Sequence, residues 1–267
     1  MTDAASERPL VLCIGGHDPS GGAGILADAE AVQAAHAFPL TVITALTEQD
    51  TCGLAQIHPQ PAEQIEAHCR RLMNDSPPNV LKIGLIGGAD IARMLAQLID
   101  EFAKVPVVLD TVLATGAGQS VADSALLDEL RGALVPRCTL VTPNLPEARA
   151  LTGAGAPEDC AARLLAAGAL WVLITGTHDD TEAVTNRLFG ADGQSLAWDW
   201  PRLPGEYHGS GCTLAGAIAA RLAHGMTMEQ AVASAQAYTW KTLERALRTG
   251  RCQLTPNRLH ASAEHLA

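Results

Sequence analysis

Leu10-Val11-Leu12-Cys13-Ile14-Gly15-Gly16-His17-Asp18-Pro19-Ser20-Gly21-Gly22-Ala23-Gly24 is an apolar run that stops on paired glycines and then gives way to a helical pattern over 23–37. The run from Leu10 to Ile14 contains no charged residue, so the strand it forms is buried on both faces, as in a parallel sheet covered by helices. The same unit recurs along the chain. Strand-like runs over 40–46, 80–86, 105–110, 139–142 and 170–175 alternate with helical stretches over 61–73, 89–103, 123–134 and 156–167. This alternation predicts βαβ units, an α/β fold with a mostly parallel central sheet and helices on both faces. Near the C-terminal side, runs over 183–190 and 194–200 flank Ala191-Asp192-Gly193 and predict a small antiparallel hairpin at one edge. Two long helices, over 212–224 and 228–247, complete the fold, and with no repeat or linker the chain reads as a single domain, 1–267.

Composition narrows the function classes. A net charge of −11 and 3% aromatic residues argue against a nucleic-acid partner. No apolar run approaches the ~20 residues needed to cross a bilayer. The first nine residues carry acids and lack the basic-then-apolar layout of an export signal. Seven cysteines without a CxxC pair fit neither a disulfide framework nor a zinc site, which predicts a reduced, cytoplasmic protein. An anionic substrate would have to be met by local donors, because the overall field repels it.

Such donors are expected where strands end, since ligands of open α/β sheets gather there. In Tyr207-His208-Gly209-Ser210-Gly211-Cys212-Thr213-Leu214 two glycines lead straight into an Ala-rich helix. Unpaired N–H groups and the positive end of the helix dipole then form an anion cradle, with phosphate the first candidate. Gly209, Ser210 and Gly211 would hold the migrating group. Cys212 would act as general base, its thiol acidified by those donors. The glycine loop at 15–24 lacks the spacing of a Walker loop, and Asp28 beyond it reads more readily as a solvated acid. Gln49, within Thr47-Glu48-Gln49-Asp50-Thr51, offers a donor and an acceptor to the edge of a heterocycle, although alone it reads as a surface amide. Asp110 ends a buried run. Asn144 and Glu147, three apart, share a helical face and suit Mg²⁺, and the same pair is the signature of a helix cap.

Together these clusters resemble the ribokinase superfamily, and within it the hydroxymethylpyrimidine/phosphomethylpyrimidine kinases of thiamine biosynthesis. The resemblance rests on Gly16-His17-Asp18-Pro19-Ser20-Gly21-Gly22-Ala23-Gly24, on 42–51, on Lys82-Ile83-Gly84, on Leu109-Asp110-Thr111-Val112, on Thr142-Pro143-Asn144-Leu145-Pro146-Glu147 and on the turn around Cys212. It implies a ribokinase-like three-layer sandwich, a homodimer, and ATP and Mg²⁺ as cofactors. By the same resemblance Gln49 would bind the aminopyrimidine edge, with Gly16 and Val112 lining its pocket and Asp28 near the hydroxymethyl group. Asn144 and Thr175 would serve the nucleotide, and Asp110 and Glu147 the metal. The chain departs from the family where lysines are common, at Thr175 and in the loop 113–118, leaving His178, Arg187 or Lys241 as sources of charge. Leu85 also replaces a common methionine, a mild change for a pocket wall. The alternatives are a pyridoxal kinase and a non-catalytic pyrimidine-binding protein.

Overall fold

The computed structural model describes residues 8–102, 104–114, 121–177 and 181–261. The opening run forms β1 (Leu10–His17), and α1 (Gly24–Ala34) follows the glycine loop. The chain continues through β2 (Phe38–Asp50), β3 (Gly53–Pro59), α2 (Ala62–Asp75), β4 (Val80–Ile83), α3 (Ala89–Glu101) and β5 (Val107–Leu109). It then forms α4 (Ser124–Glu129), β6 (Leu140–Val141), α5 (Leu145–Thr152), α6 (Pro157–Ala166) and β7 (Trp171–Ile174). The hairpin β8 (Ala183–Gly190) and β9 (Ser195–Pro201) precedes α7 (Ser210–Ala223) and α8 (Met228–Glu244).

The strands make one nine-stranded sheet in the order β3-β2-β1-β4-β5-β6-β7-β8-β9. Pairing is parallel from β2 to β7 and antiparallel at both edges. Successive β1 residues serve different cores, as a period of two requires. Leu12 and Ile14 join the cluster built with α2 to α6, whereas Val11 and Cys13 join the one built with α1, α7 and α8. The result is the expected three-layer α/β sandwich. Small residues bring α7 against α1: a Cβ on Gly216 would lie 3.3 Å from the Asp28 backbone. This close packing sets the N-termini of the two helices beside each other. No helix among the described residues is long and apolar enough to cross a membrane.

Two findings depart from the sequence reading. The segment 47–51 is not a loop after a strand: β2 runs through Gln49 to Asp50 and turns into β3, adding an antiparallel edge that alternation alone did not reveal. The expectation of no disulfide is also overturned. Cys52 in the β2–β3 turn is bonded to Cys252 in the C-terminal segment, with Cα atoms 4.9 Å apart across a sequence separation of 200. Cysteine spacing could not show this pair, because only the folded chain brings the turn and the C-terminal segment together. Cys13, Cys69, Cys138 and Cys160 are free and buried.

Candidate active site

The carboxyl ends of the parallel strands open into a cleft of about 530 Å³. Its lining includes Gly16, Asp28 and Gln49, the segment residues Asp110 and Val112, and Asn144, Glu147 and Thr175. Gly209, Ser210, Gly211 and Cys212 complete the wall at the start of α7. The sequence candidates are thus gathered in one place.

The turn at α7 depends on glycine. Gly209 has φ +85, and a Cβ there would lie 2.0 Å from the Gly22 carbonyl oxygen. Gly24 has φ +63, and its Cβ would meet the Gly16 carbonyl oxygen at 2.3 Å. Only bare backbone lets the turn rest on the glycine loop. The first helical bond of α7 runs from the Thr213 N–H to the Gly209 carbonyl at 3.0 Å. The N–H groups of Ser210, Gly211 and Cys212 precede it and have no carbonyl one turn back within the helix.

Cys212 corrects the expected acidity. Burial pushes its thiol well above the ordinary value and Asp110 adds to the effect, while Lys82 and the Gly24 N–H only partly oppose it. The resting group is therefore a thiol. Low dielectric and neighbouring carboxylates outweigh the helix N-terminus.

Asp28 is a second correction, being 1% exposed rather than solvated. Its carboxylate is 2.7 Å from the Lys82 ammonium, which also lies 3.2 Å from Asp110. Burial raises the Asp28 carboxyl to about 6, against the pull of Lys82. Burial alone would lower Lys82, but Asp28 and Asp110 outweigh it and hold the ammonium charged. A Cβ on Gly84 would stand 2.9 Å from the Lys82 Nζ, so the glycine leaves room for that ammonium. Lys82 stands in the Lys82-Ile83-Gly84 motif without a role that its local sequence reveals. A lysine inside an otherwise apolar strand was the available signal, since such a charge needs partners.

On the next wall Asn144 caps α5. Its side chain accepts from the Glu147 N–H at 2.9 Å, and Glu147 Oε2 accepts from the Asn144 N–H at 3.0 Å. The capping reading is thus correct, and it coexists with a place in the cleft. Glu147 also accepts from the Leu113 N–H at 3.3 Å and from the Thr111 hydroxyl at 3.4 Å. Burial pushes its carboxyl up to about 8, opposed by the Asn144 N–H and reinforced by Asp110.

The Asp110 and Glu147 carboxyls, together on the cleft wall beside an anion cradle, suit a divalent cation. Both Glu147 oxygens already accept hydrogen bonds, so the fit is to Mg²⁺ held partly through water and phosphate. No group of three or more His, Cys, Asp or Glu side chains forms a metal cage among the described residues. Thr175 bridges Asn144 in the sheet, its N–H donating to the Pro143 carbonyl at 3.0 Å.

Of the proposed substitutes for lysine, Arg187 and Lys241 are not among the cleft residues, and Arg187 lies 3.8 Å from Glu158. His178 and positions 115–118 lie outside the described residues. Gln49 is half-buried near the end of β2, where pairing with β3 shifts register after Glu48. Gly16 packs against Leu85, which a Cβ would meet at 2.7 Å.

The fastening of the glycine loop is likewise not legible in local sequence. Asp18 accepts from the Ser20 and Ala23 N–H groups, each at 2.8 Å, and pairs with His208 Nε2 at 2.8 Å. Burial alone would raise Asp18, but His208 and the loop donors hold it at about 2. The glycine-rich stretch reads as a turn that caps a helix, but the pairing with His208 joins residues 190 apart in sequence.

A family model described as phosphomethylpyrimidine kinase matches residues 18–257. A hydroxymethylpyrimidine/phosphomethylpyrimidine kinase of Haemophilus influenzae is 33% identical, covering 92% of this chain and 94% of that protein. A bifunctional thiamine biosynthesis protein of Geobacter sulfurreducens is 34% identical over 93% of this chain and 52% of its own length. Among solved structures, an ADP complex of Bacillus subtilis pyridoxal kinase superposes with a TM-score of 0.88 at 26% identity, covering 96% of this chain and 99% of that one.

Proposed function

The chain belongs to the phosphomethylpyrimidine kinase family, and from that premise we propose that it phosphorylates 4-amino-5-hydroxymethyl-2-methylpyrimidine with ATP. A second transfer, to the resulting monophosphate, gives the diphosphate that serves thiamine diphosphate biosynthesis. The observation that carries this reading is the meeting, in one cleft, of Gln49, the Asp110 and Glu147 acids, and the N–H groups before Cys212.

Phosphoryl transfer passes through a loose transition state whose charge spreads over the equatorial oxygens, so positioning and charge stabilisation do most of the work. The Ser210, Gly211 and Cys212 N–H groups receive that charge. Gln49 orients the aminopyrimidine edge against Gly16 and Val112, and Asp28 stands near the hydroxymethyl group. Cys212 takes the proton of the alcohol once its own has left. Its elevated pKa makes the thiolate a strong base at the cost of population, a balance that favours activity on the alkaline side. Asn144 and Thr175 serve the nucleotide, while Asp110 and Glu147 would hold Mg²⁺, partly through water, and the ion would offset charge on the phosphates.

A homodimer in the cytoplasm fits this reading. In that compartment reductants would open the exposed Cys52–Cys252 bond. The likeness to pyridoxal kinase favours pyridoxal as the second substrate to test, since both substrates are heteroaromatic alcohols. Purified protein with ATP and Mg²⁺ is assayed for ADP release on each alcohol. Faster turnover of the pyrimidine is expected, whereas preference for pyridoxal would replace this assignment. Pyrimidine binding without ADP release would leave a non-catalytic binder.

A further inference from the structure

Arg258 is 2% exposed and lies just beyond the residues matched by the family model. Its Nε donates to the Thr213 hydroxyl at 2.8 Å, and Nη1 donates to the Gly21 carbonyl and to Glu30, each at 3.1 Å. Nη2 donates to the Gly22 carbonyl. The Thr213 hydroxyl in turn donates to the Gly209 carbonyl at 2.8 Å. One guanidinium therefore reaches both the loop on which the anion turn rests and the turn itself.

The peptide plane translates these contacts into donor direction. In a trans peptide the C=O and the following N–H point oppositely. Fixing the Gly209 carbonyl through Thr213 aims the Ser210 N–H away from the helix, along the dipole toward the cleft. Fixing the Gly21 and Gly22 carbonyls holds the next two N–H groups toward Ser20 and Asp18, which accept them at 3.3 and 2.8 Å. Asp18 then grips His208, the residue before the turn. Arg258 is held in its turn: the Tyr238 hydroxyl donates to its carbonyl at 2.9 Å, and the segment is bonded to β2–β3 at Cys252.

We propose that Arg258 is a positioning residue that sets the donor geometry of the phosphoryl-transfer turn through Thr213 and the glycine loop. This rests on the kinase reading above, and the two fail separately: wild-type protein without turnover overturns the kinase reading, whereas the test below compares variants with an active wild type.

The test is Arg258→Ala, measured for kcat with ATP and the pyrimidine alcohol and, by calorimetry without nucleotide, for the Kd of that alcohol. A displaced donor set is expected to lower kcat by roughly tenfold to a hundredfold while Kd changes by less than about twofold. Added guanidinium, filling the same hole, is expected to restore part of kcat. A folded variant with kcat within about twofold of wild type, or one losing kcat and affinity together, overturns the proposal. If Arg258→Ala does not fold, the same comparison on Arg258→Lys decides, because one ammonium cannot serve Thr213 and both carbonyls at once.

Discussion

The turn at Gly209–Cys212 and the strand end at Gln49 line the same cleft but are held differently. Around the turn, Asp18, His208, Thr213 and Arg258 form a buried network, and glycines at 22, 24 and 209 leave no room for a side chain. Gln49 sits on an antiparallel edge hairpin whose pairing shifts register at that residue. Its nearby fastenings include the exposed Cys52–Cys252 bond, the Gln253 N–H donating to the Thr51 carbonyl at 3.0 Å and the Thr47 hydroxyl donating to the His17 carbonyl at 2.9 Å. A centre that stabilises a transition state needs donors fixed in advance. The side that reads a heterocycle tolerates more change, which is consistent with one fold accommodating kinases for pyrimidines and for pyridoxal.

This contrast can be broken by matched variants. The largest effect is expected for Cys212→Ala, a loss of about 10²–10⁴ in kcat with pyrimidine affinity retained, checked by steady-state kinetics and calorimetry. Equal activity in this variant would remove Cys212 from the chemistry. Next, Cys52→Ser, or reduction with a dithiol, should lower unfolding free energy by about 2–4 kcal/mol. A urea titration reads that loss, and KM for the pyrimidine should rise more than KM for ATP.

The network around the turn should show its own acid limb. Asp18 falls from 3.8 to about 2 on folding, so its contribution is complete above about pH 4 and is lost as pH drops toward 2. The loss is roughly 2 kcal/mol, and Asp18→Asn should flatten the stability curve across that window. The smallest effect is expected at Gln49→Ala, a rise of about tenfold in KM for the pyrimidine at nearly constant kcat, which marks binding shared by ground and transition states.

Local signals in the sequence anticipated most of this arrangement. Unbroken apolar runs gave the parallel strands, Gly-Ser-Gly-Cys gave the anion turn, and Asn144 with Glu147 gave both a cap and an acid wall. What stayed hidden depends on contacts between residues far apart in the chain. Lys82 gains meaning only when Asp28 and Asp110 close on it. The Cys212 thiol is less acidic than a helix N-terminus alone implies, because burial and Asp110 act on it only in the folded chain. The β3 edge, the disulfide and Arg258 likewise arise from pairings that periodicity and spacing do not encode.

Transfer of phosphoryl groups onto a hydroxymethylpyrimidine is the activity on which every role assigned to this cleft depends. Its most direct test is a product-resolved assay: wild-type protein, ATP and Mg²⁺, the pyrimidine alcohol, and chromatographic separation of its mono- and diphosphates over time. Monophosphate is expected first and diphosphate after it, with both formed at least about a hundredfold more slowly by Cys212→Ala. Unchanged alcohol after prolonged incubation, or product formed equally by the variant, would contradict it.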